Sequence, residues 1–196
     1  MFHIEGCPVP IYQEEGELVH LVELVAKLQP KRILEVGSLY GGTMWYWMHA
    51  SNNATIISVD SGVGAPNANV SDIDQTRLTL WPEWERETNC TIVQVRADST
   101  AQDTVEAVNK YAPFDFIFVD GGHDFNTVMA DWQNYWPMLK AGGCFAFHDI
   151  AYPDNNPIGC GVGIVWRTVR DNGKWQEFVR EYNPQQHCGI GVMWKE

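Results

Sequence analysis

Residues 114–120 read FDFIFVD, and residues 121–125 continue GGHDF. A run that is almost wholly apolar ends in an acid, two glycines, a histidine and a second acid. A mostly apolar run of strand length fits a strand buried on both faces, as in a parallel sheet. Polar groups gather at such a strand's end either to turn the chain or to hold something.

The pattern around this stretch repeats. FNTVMADWQNYWPMLK reads as a helix, and GGCFAFHDI as the next strand. Upstream, EEGELVHLVELVAKL places Leu18, Leu21, Val22, Val25 and Leu28 at helical spacing, and Pro30 stops that helix. RILEV is a short buried strand. The glycine turn GSLYGG and the aromatic-rich helix TMWYWMHA follow it. TIISVD is a second strand, and SGVGAPNANVSDID reads as loop because turn formers crowd it. TRLTLWPEWERE reads as a helix interrupted by Pro82. TIVQVRAD is a third strand, and STAQDTVEAVNKY a helix capped by Ser99 or Thr100. GVGIVWRTVRD is helical, and WQEFVREY and GIGVMWKE close the chain as two late strands, antiparallel in expectation.

This alternation predicts an α/β fold. The expected architecture is a doubly wound, mostly parallel Rossmann-like sheet of about seven strands with an antiparallel C-terminal edge. Residues 1–196 form one domain in this reading. An N-terminal helical segment, 1–30, precedes a cofactor-binding core, 31–196. A chain of 196 residues is long enough to bury about 70% of its unfolded surface.

Composition narrows the function. Lys and Arg total 13 against 25 Asp and Glu, a net charge of −12. Such a field repels phosphate backbones, so nucleic acid is not the expected partner, and a neutral or cationic small molecule fits better. No apolar run reaches the roughly 18 residues of a membrane span, so no membrane partner is expected. The opening MFHIEGCPVP lacks the layout of a signal peptide, and a cytoplasmic location is expected. The five cysteines are odd in number and unpaired in spacing, which favours neither a disulfide framework nor a zinc site. Nine tryptophans are many for this length. Trp45, Trp47, Trp132 and Trp136 read as core, with a homo-oligomer face as the alternative. Trp81 and Trp84, near a long loop, are candidates to roof a ligand pocket.

Each predicted parallel strand finishes near an acid: Glu35, Asp60, Asp98, Asp120 and Asp149. In an open parallel sheet these ends face one crevice, where a ligand sits. Five carboxylates along one edge repel one another, so the crevice calls for donors or cations. The first turn carries Gly37, Gly41 and Gly42. It matches neither GxGxxG nor a P-loop. A carboxylate at Asp60 can accept both hydroxyls of a ribose, whether of a nicotinamide dinucleotide or of S-adenosylmethionine.

ILEVGSLYGGT, SVD, RADS, the whole of Phe114 to Ile150 and the closing GIGVMW resemble class I S-adenosylmethionine-dependent methyltransferases. The likeness is to the metal-dependent O-methyltransferases: distantly the catechol type, more closely the macrolide-sugar and cephalosporin-hydroxylase-like group. The resemblance implies an O-methyltransferase acting on a hydroxyl of a small molecule, such as a sugar or secondary metabolite. It places Glu35 and Gly37 at the methionine end of the cofactor, with Ser38 and Gly41 in the same turn. Asp60 would hold the ribose hydroxyls, and Asp98 with Ser99 the adenine. Asp120, also beside the cofactor, and Asp149 would bind a divalent cation, Mg2+ or alternatively Mn2+. His123 would be the general base.

The chemistry agrees with these roles. Methyl transfer to oxygen needs a nucleophile that is aligned and deprotonated. Two carboxylates offer the oxygen ligands that Mg2+ prefers. An imidazole titrates near neutrality. Gly121 and Gly122 let the chain turn sharply enough to bring His123 back beside Asp120, and Asp124 reads as a helix cap. The family's acidic pair at the end of the fifth strand is here His148–Asp149. His148 is either a nitrogen ligand or a packed imidazole that orients Asp149. Strand alternation sends the two side chains to opposite faces unless the strand ends between them. The loop AYPDNNPIGCGVG, with Tyr152, is a candidate acceptor-binding lid. Two alternatives fit the same residues: a nicotinamide-dependent oxidoreductase, and a non-catalytic protein with a cofactor-binding fold.

Overall fold

The computed structural model describes residues 6–62, 69–180 and 188–196. Fourteen principal elements follow in chain order: α1 (Glu15–Leu28), β1 (Arg32–Val36), α2 (Gly42–Ala50), β2 (Thr55–Val59), α3 (Val70–Thr79), α4 (Trp81–Thr88), β3 (Thr91–Val95), α5 (Gln102–Asn109), β4 (Phe114–Val119), α6 (Phe125–Tyr135), β5 (Leu139–His148), α7 (Val162–Val169), β6 (Lys174–Phe178) and β7 (Ile190–Trp194).

The strands form one seven-stranded sheet in the order β3-β2-β1-β4-β5-β7-β6. β1 to β5 are mutually parallel, and β7 runs antiparallel to both β5 and β6. The expected mostly parallel sheet with an antiparallel C-terminal part is therefore present. The chain leaves β1 outward to β2 and β3 and returns on its other side with β4. That reversal opens a crevice at the carboxyl ends of β1 and β4.

The central strands are apolar at nearly every position because helices cover both faces. In β4, Phe116 and Phe118 point into one core with Ile33, Met44 and Trp47. Ile117 and Val119 point into the other with Leu34, Phe145 and Val165. α1 buries Leu18, Leu21 and Val25, the stripe its spacing predicts. It ends at Gln29, which is left-handed with φ 48°, just before Pro30. The tryptophans read as core are core: Trp47 is fully buried, while Trp45, Trp132 and Trp136 pack at core margins. Cys160 and Cys188 are free thiols.

Several local expectations need correction. Residues 70–74 are not loop; they open α3, with Asn69 capping Ser71 N–H. The helix expected over 76–87 is interrupted as read, but the break falls at Leu80, between α3 and α4, rather than at Pro82 itself. Pro82 sits in the first turn of α4, where its missing N–H costs nothing. Neither Ser99 nor Thr100 caps α5. Ala101 holds the cap position, while Asp98 accepts from Thr100 N and Oγ1. β5 begins at Leu139, ahead of the glycine pair, and β6 ends at Phe178. Glu181 and Tyr182 of the expected strand, and His3 and His187, lie outside the described residues. No described helix is long and apolar enough to cross a membrane.

Candidate active site

The turn after β1 and the turn after β4 lie against each other. Asp120 N donates to Val36 O at 2.8 Å. Gly37 has φ +89°, and a Cβ there would lie 2.0 Å from Asp120 O. The glycine is required because two backbones meet, whether or not a ligand approaches. Gly41, at φ +91°, lies under Trp81 and Trp84. Trp81 Nε1 donates to Tyr40 O at 3.1 Å, so these two rings roof the first glycine turn.

Glu35 is fully buried behind this turn. Its Oε1 accepts from Thr43 Oγ1 at 2.9 Å, and its Oε2 accepts from Trp47 Nε1. Burial pushes its carboxyl up to about 8, against the opposing hydrogen bonds of Thr43 and Trp47. Ser38 Oγ accepts from Ser58 Oγ at 2.8 Å.

Asp60 accepts from Leu39 N at 2.8 Å and Gly62 N at 2.7 Å. It also pairs with Arg77 Nη2 at 3.1 Å. Arg77 in turn donates to Leu39 O from Nε at 3.0 Å and from Nη2 at 2.8 Å. This buried arginine on α3 was not singled out from the sequence, where its segment carried no site signal. Asp98 is exposed, and its carboxyl is lowered by the Thr100 hydrogen bonds. Buried Ser99 accepts through its carbonyl from Tyr135 Oη at 2.6 Å.

The opening stretch builds the centre of the site. Asp120 follows the last residue of β4. A Cβ on Gly121 would lie 3.0 Å from Val36 Cγ1, and one on Gly122 would lie 2.5 Å from Thr127 Cγ2. The two glycines thus let the turn fold back tightly. Asp124 then caps α6, accepting from Asn126 N and Thr127 N at 3.1 Å each. His123 O accepts from Gly161 N at 2.7 Å, which ties the turn to the start of α7.

His123 Nε2 lies 3.2 Å from Asp149 Oδ2 and 3.7 Å from Asp120 Oδ1. His148 Nδ1 lies 3.2 Å from both Asp120 Oδ1 and Asp149 Oδ1. β5 ends at His148, and Asp149 is left-handed with φ +66°. The strand does end between the two, so both side chains reach the same site. His148 lies between the two acids, within 3.2 Å of each, and its Nε2 is buried without a partner.

Asp120 has a further neighbour that no motif announced. Gln13, 6% exposed, donates from Nε2 to Asp120 Oδ2. Burial of Asp120 opposes its charge, but His148 and His123 outweigh that and hold it well below the usual carboxylate range. His123 is raised, first by its interaction with Asp120 and against burial. His148 is raised well above the ordinary value: burial disfavours its charge, and the two carboxylates overcome burial.

Ligand atoms of Asp120, His123 and Asp149 lie within 4.8 Å of one another. Two carboxylates and an imidazole at this spacing suit a small divalent cation such as Mg2+ or Mn2+. Among the described residues a second such group is His148, Asp149 and Cys188. Cys188 had no signal as a ligand in the sequence.

Rhamnosyl O-methyltransferases of Mycobacterium bovis and Mycobacterium tuberculosis are 27% identical over 156 residues, 78% of this chain. The chain spans 58% of the length of these relatives. Among solved structures, an O-methyltransferase of Bacillus cereus in complex with SAH superposes with a TM-score of 0.64 at 16% identity, covering 95% of this chain and 84% of that one. The O-methyltransferase TomG of Streptomyces achromogenes, involved in tomaymycin synthesis and solved with SAM, gives 0.66 at 16% identity, covering 98% and 84%. These likenesses carry the fold. A family described as Methyltransferase domain matches residues 34–150, from the second half of β1 through Ile150. The chain belongs to the methyltransferase domain family.

Proposed function

We propose that this chain is an S-adenosylmethionine-dependent O-methyltransferase acting on a hydroxyl of a small molecule, with a divalent cation at Asp120 and Asp149. One observation carries the reading: Asp120, His123 and Asp149 converge at the carboxyl ends of β4 and β5, beside the crevice between β1 and β4. Membership of the methyltransferase family decides against the nicotinamide-dependent alternative.

S-adenosylmethionine supplies an electrophilic methyl group. The divalent cation, when bound, supplies positive charge that stabilises an alkoxide and orients it. The chain's own residues do the rest. Asp60, held by Arg77 and two backbone N–H groups, presents the ribose-binding carboxylate at the end of β2. Asp98 and Ser99 border the adenine end. Glu35, Gly37, Ser38 and Gly41 shape the methionine end, with Glu35 acting from behind through Thr43 and Trp47. His123 is half-exposed in its side chain, as a base that must meet the acceptor requires. Its Nε2 takes the hydroxyl proton, and Asp149, 3.2 Å away, stabilises the imidazolium that results. His148 keeps Asp120 and Asp149 turned toward each other. The relatives' printed activity makes a deoxysugar hydroxyl the first acceptor class to try.

The test is calorimetric titration with S-adenosylhomocysteine, with and without Mg2+, followed by turnover in excess chelator. Micromolar binding that survives chelation, together with loss of turnover, is expected. No binding in either condition overturns the methyltransferase reading. Full turnover in chelator overturns the metal.

A further inference from the structure

His148 presents an unusual balance. Its Nδ1 is engaged by Asp120 and Asp149 at 3.2 Å each, yet its Nε2 is buried with no hydrogen-bond partner. The residue is 5% exposed. A buried ring nitrogen without a partner costs free energy, and a native structure usually supplies water, protein or an ion there. Once Nε2 gives up its proton to an arriving cation, an Nδ1–H held by a carboxylate leaves the Nε2 lone pair to ligate it.

Cys188 lies beside it. A ring nitrogen of His148, a carboxylate oxygen of Asp149 and the sulfur of Cys188 fall within 4.8 Å of one another. The thiol is free and half-buried. Its backbone is not free to drift. Cys188 O accepts from Ala151 N at 2.9 Å, Gly189 O accepts from Ile150 N at 3.2 Å, and Gly189 N donates to Glu17 at 2.8 Å. The turn that carries Asp149 and the segment that carries Cys188 are thus laced together.

We propose that His148, Asp149 and Cys188 form a second cation site, specific for a thiophilic divalent ion such as Zn2+. One nitrogen, one sulfur and one oxygen ligand make a three-residue set with an open fourth position, which Zn2+ accepts and Mg2+ does not. Binding would release the thiol proton. Asp149 belongs to both sets, so Zn2+ here and Mg2+ or Mn2+ at Asp120 and Asp149 compete. The soft site would let a thiophilic ion shut off the oxygen-rich one. The competition rests on the metal-assisted reading above; the soft site itself does not.

Co2+ titration of the whole chain, followed by absorption, tests the idea. Co2+ bound to a thiolate gives a charge-transfer band that oxygen and nitrogen ligands do not. The band is expected in the wild-type protein and absent in Cys188→Ser. That variant should bind Zn2+ about 10-fold more weakly or worse, measured against a chelating dye, and bind Mn2+ as before. Its thermal midpoint checks that it folds. Co2+ binding without the band, or a band that persists in Cys188→Ser, overturns the soft site while leaving the Mn2+ site standing. Failure of the wild-type chain to bind Co2+ or Mn2+ overturns both.

Discussion

Gln13 and Asp120 stand 107 positions apart in sequence and share a hydrogen bond in the fold. The amide comes from the segment just before α1, and the carboxylate from the end of β4. Replacing Gln13 with Met keeps the volume and removes the donor. Asp120 then loses the partner that fixes its Oδ2. Outer partners of metal ligands are worth roughly 10–100-fold in affinity. Gln13→Met should therefore weaken Mn2+ binding about 10-fold, read by calorimetry, with little change in thermal midpoint. Unchanged Mn2+ affinity would show that the bond only packs the segment before α1.

His123→Ala removes the proposed base without disturbing the cofactor crevice. The loss in kcat should be roughly 10²- to 10⁴-fold, while S-adenosylhomocysteine binds as before. The acid limb of the pH–rate profile should lie above the ordinary histidine range, because Asp120 raises His123. A variant that keeps full turnover would assign the proton to another group.

Arg77→Met leaves Asp60 without its cation and Leu39 O without two donors. Arg77 is almost wholly buried, so the remaining carboxylate is poorly compensated. Breaking such a buried pair costs about 3 kcal/mol or more. Urea unfolding should show that loss, and S-adenosylhomocysteine affinity should fall with it. A stability loss without an affinity loss would detach Asp60 from ribose recognition.

Glu35 links stability to pH. Its carboxyl is raised from 4.5 to about 8 in the fold. The folded chain therefore keeps a proton that the unfolded chain gives up. That stabilisation is whole below about 4.5, falls as pH rises and is gone above about 8. A whole proton corresponds to about 1.4 kcal/mol per pH unit. Glu35→Gln keeps an acceptor for Trp47 and a partner for Thr43, and it should flatten the urea midpoint across that window. A slope unchanged in the variant would place the titration elsewhere.

The strands were legible because β1, β2 and β4 are buried on both faces and read as short, mostly apolar runs. The acids at their ends were legible for the same reason: a charge after such a run stands out. Asp120, His123 and Asp149 come together as the turn chemistry implied, with Asp124 in the capping role. Gln13, Arg77 and Cys188 were not legible. Each meets the site through tertiary packing, and nothing within a few residues of it marks the meeting. The start of α3 was hidden by its polar composition; helix formation at 70–74 follows from the Asn69 cap rather than from an apolar stripe. The α5 cap was misplaced because Asp98 draws Thr100 into its own turn before the helix begins.

The left-handed conformation of Asp149 limits how this protein can diverge. Only Gly, Asn and Asp enter that region at little cost. A longer acid at this position meets a backbone penalty before its reach is ever tried. Variation at position 149 should therefore run among three short residues, only one of them anionic. Changes in ion preference must then arise at neighbouring positions, where the chain is in ordinary conformations and any side chain can be sampled.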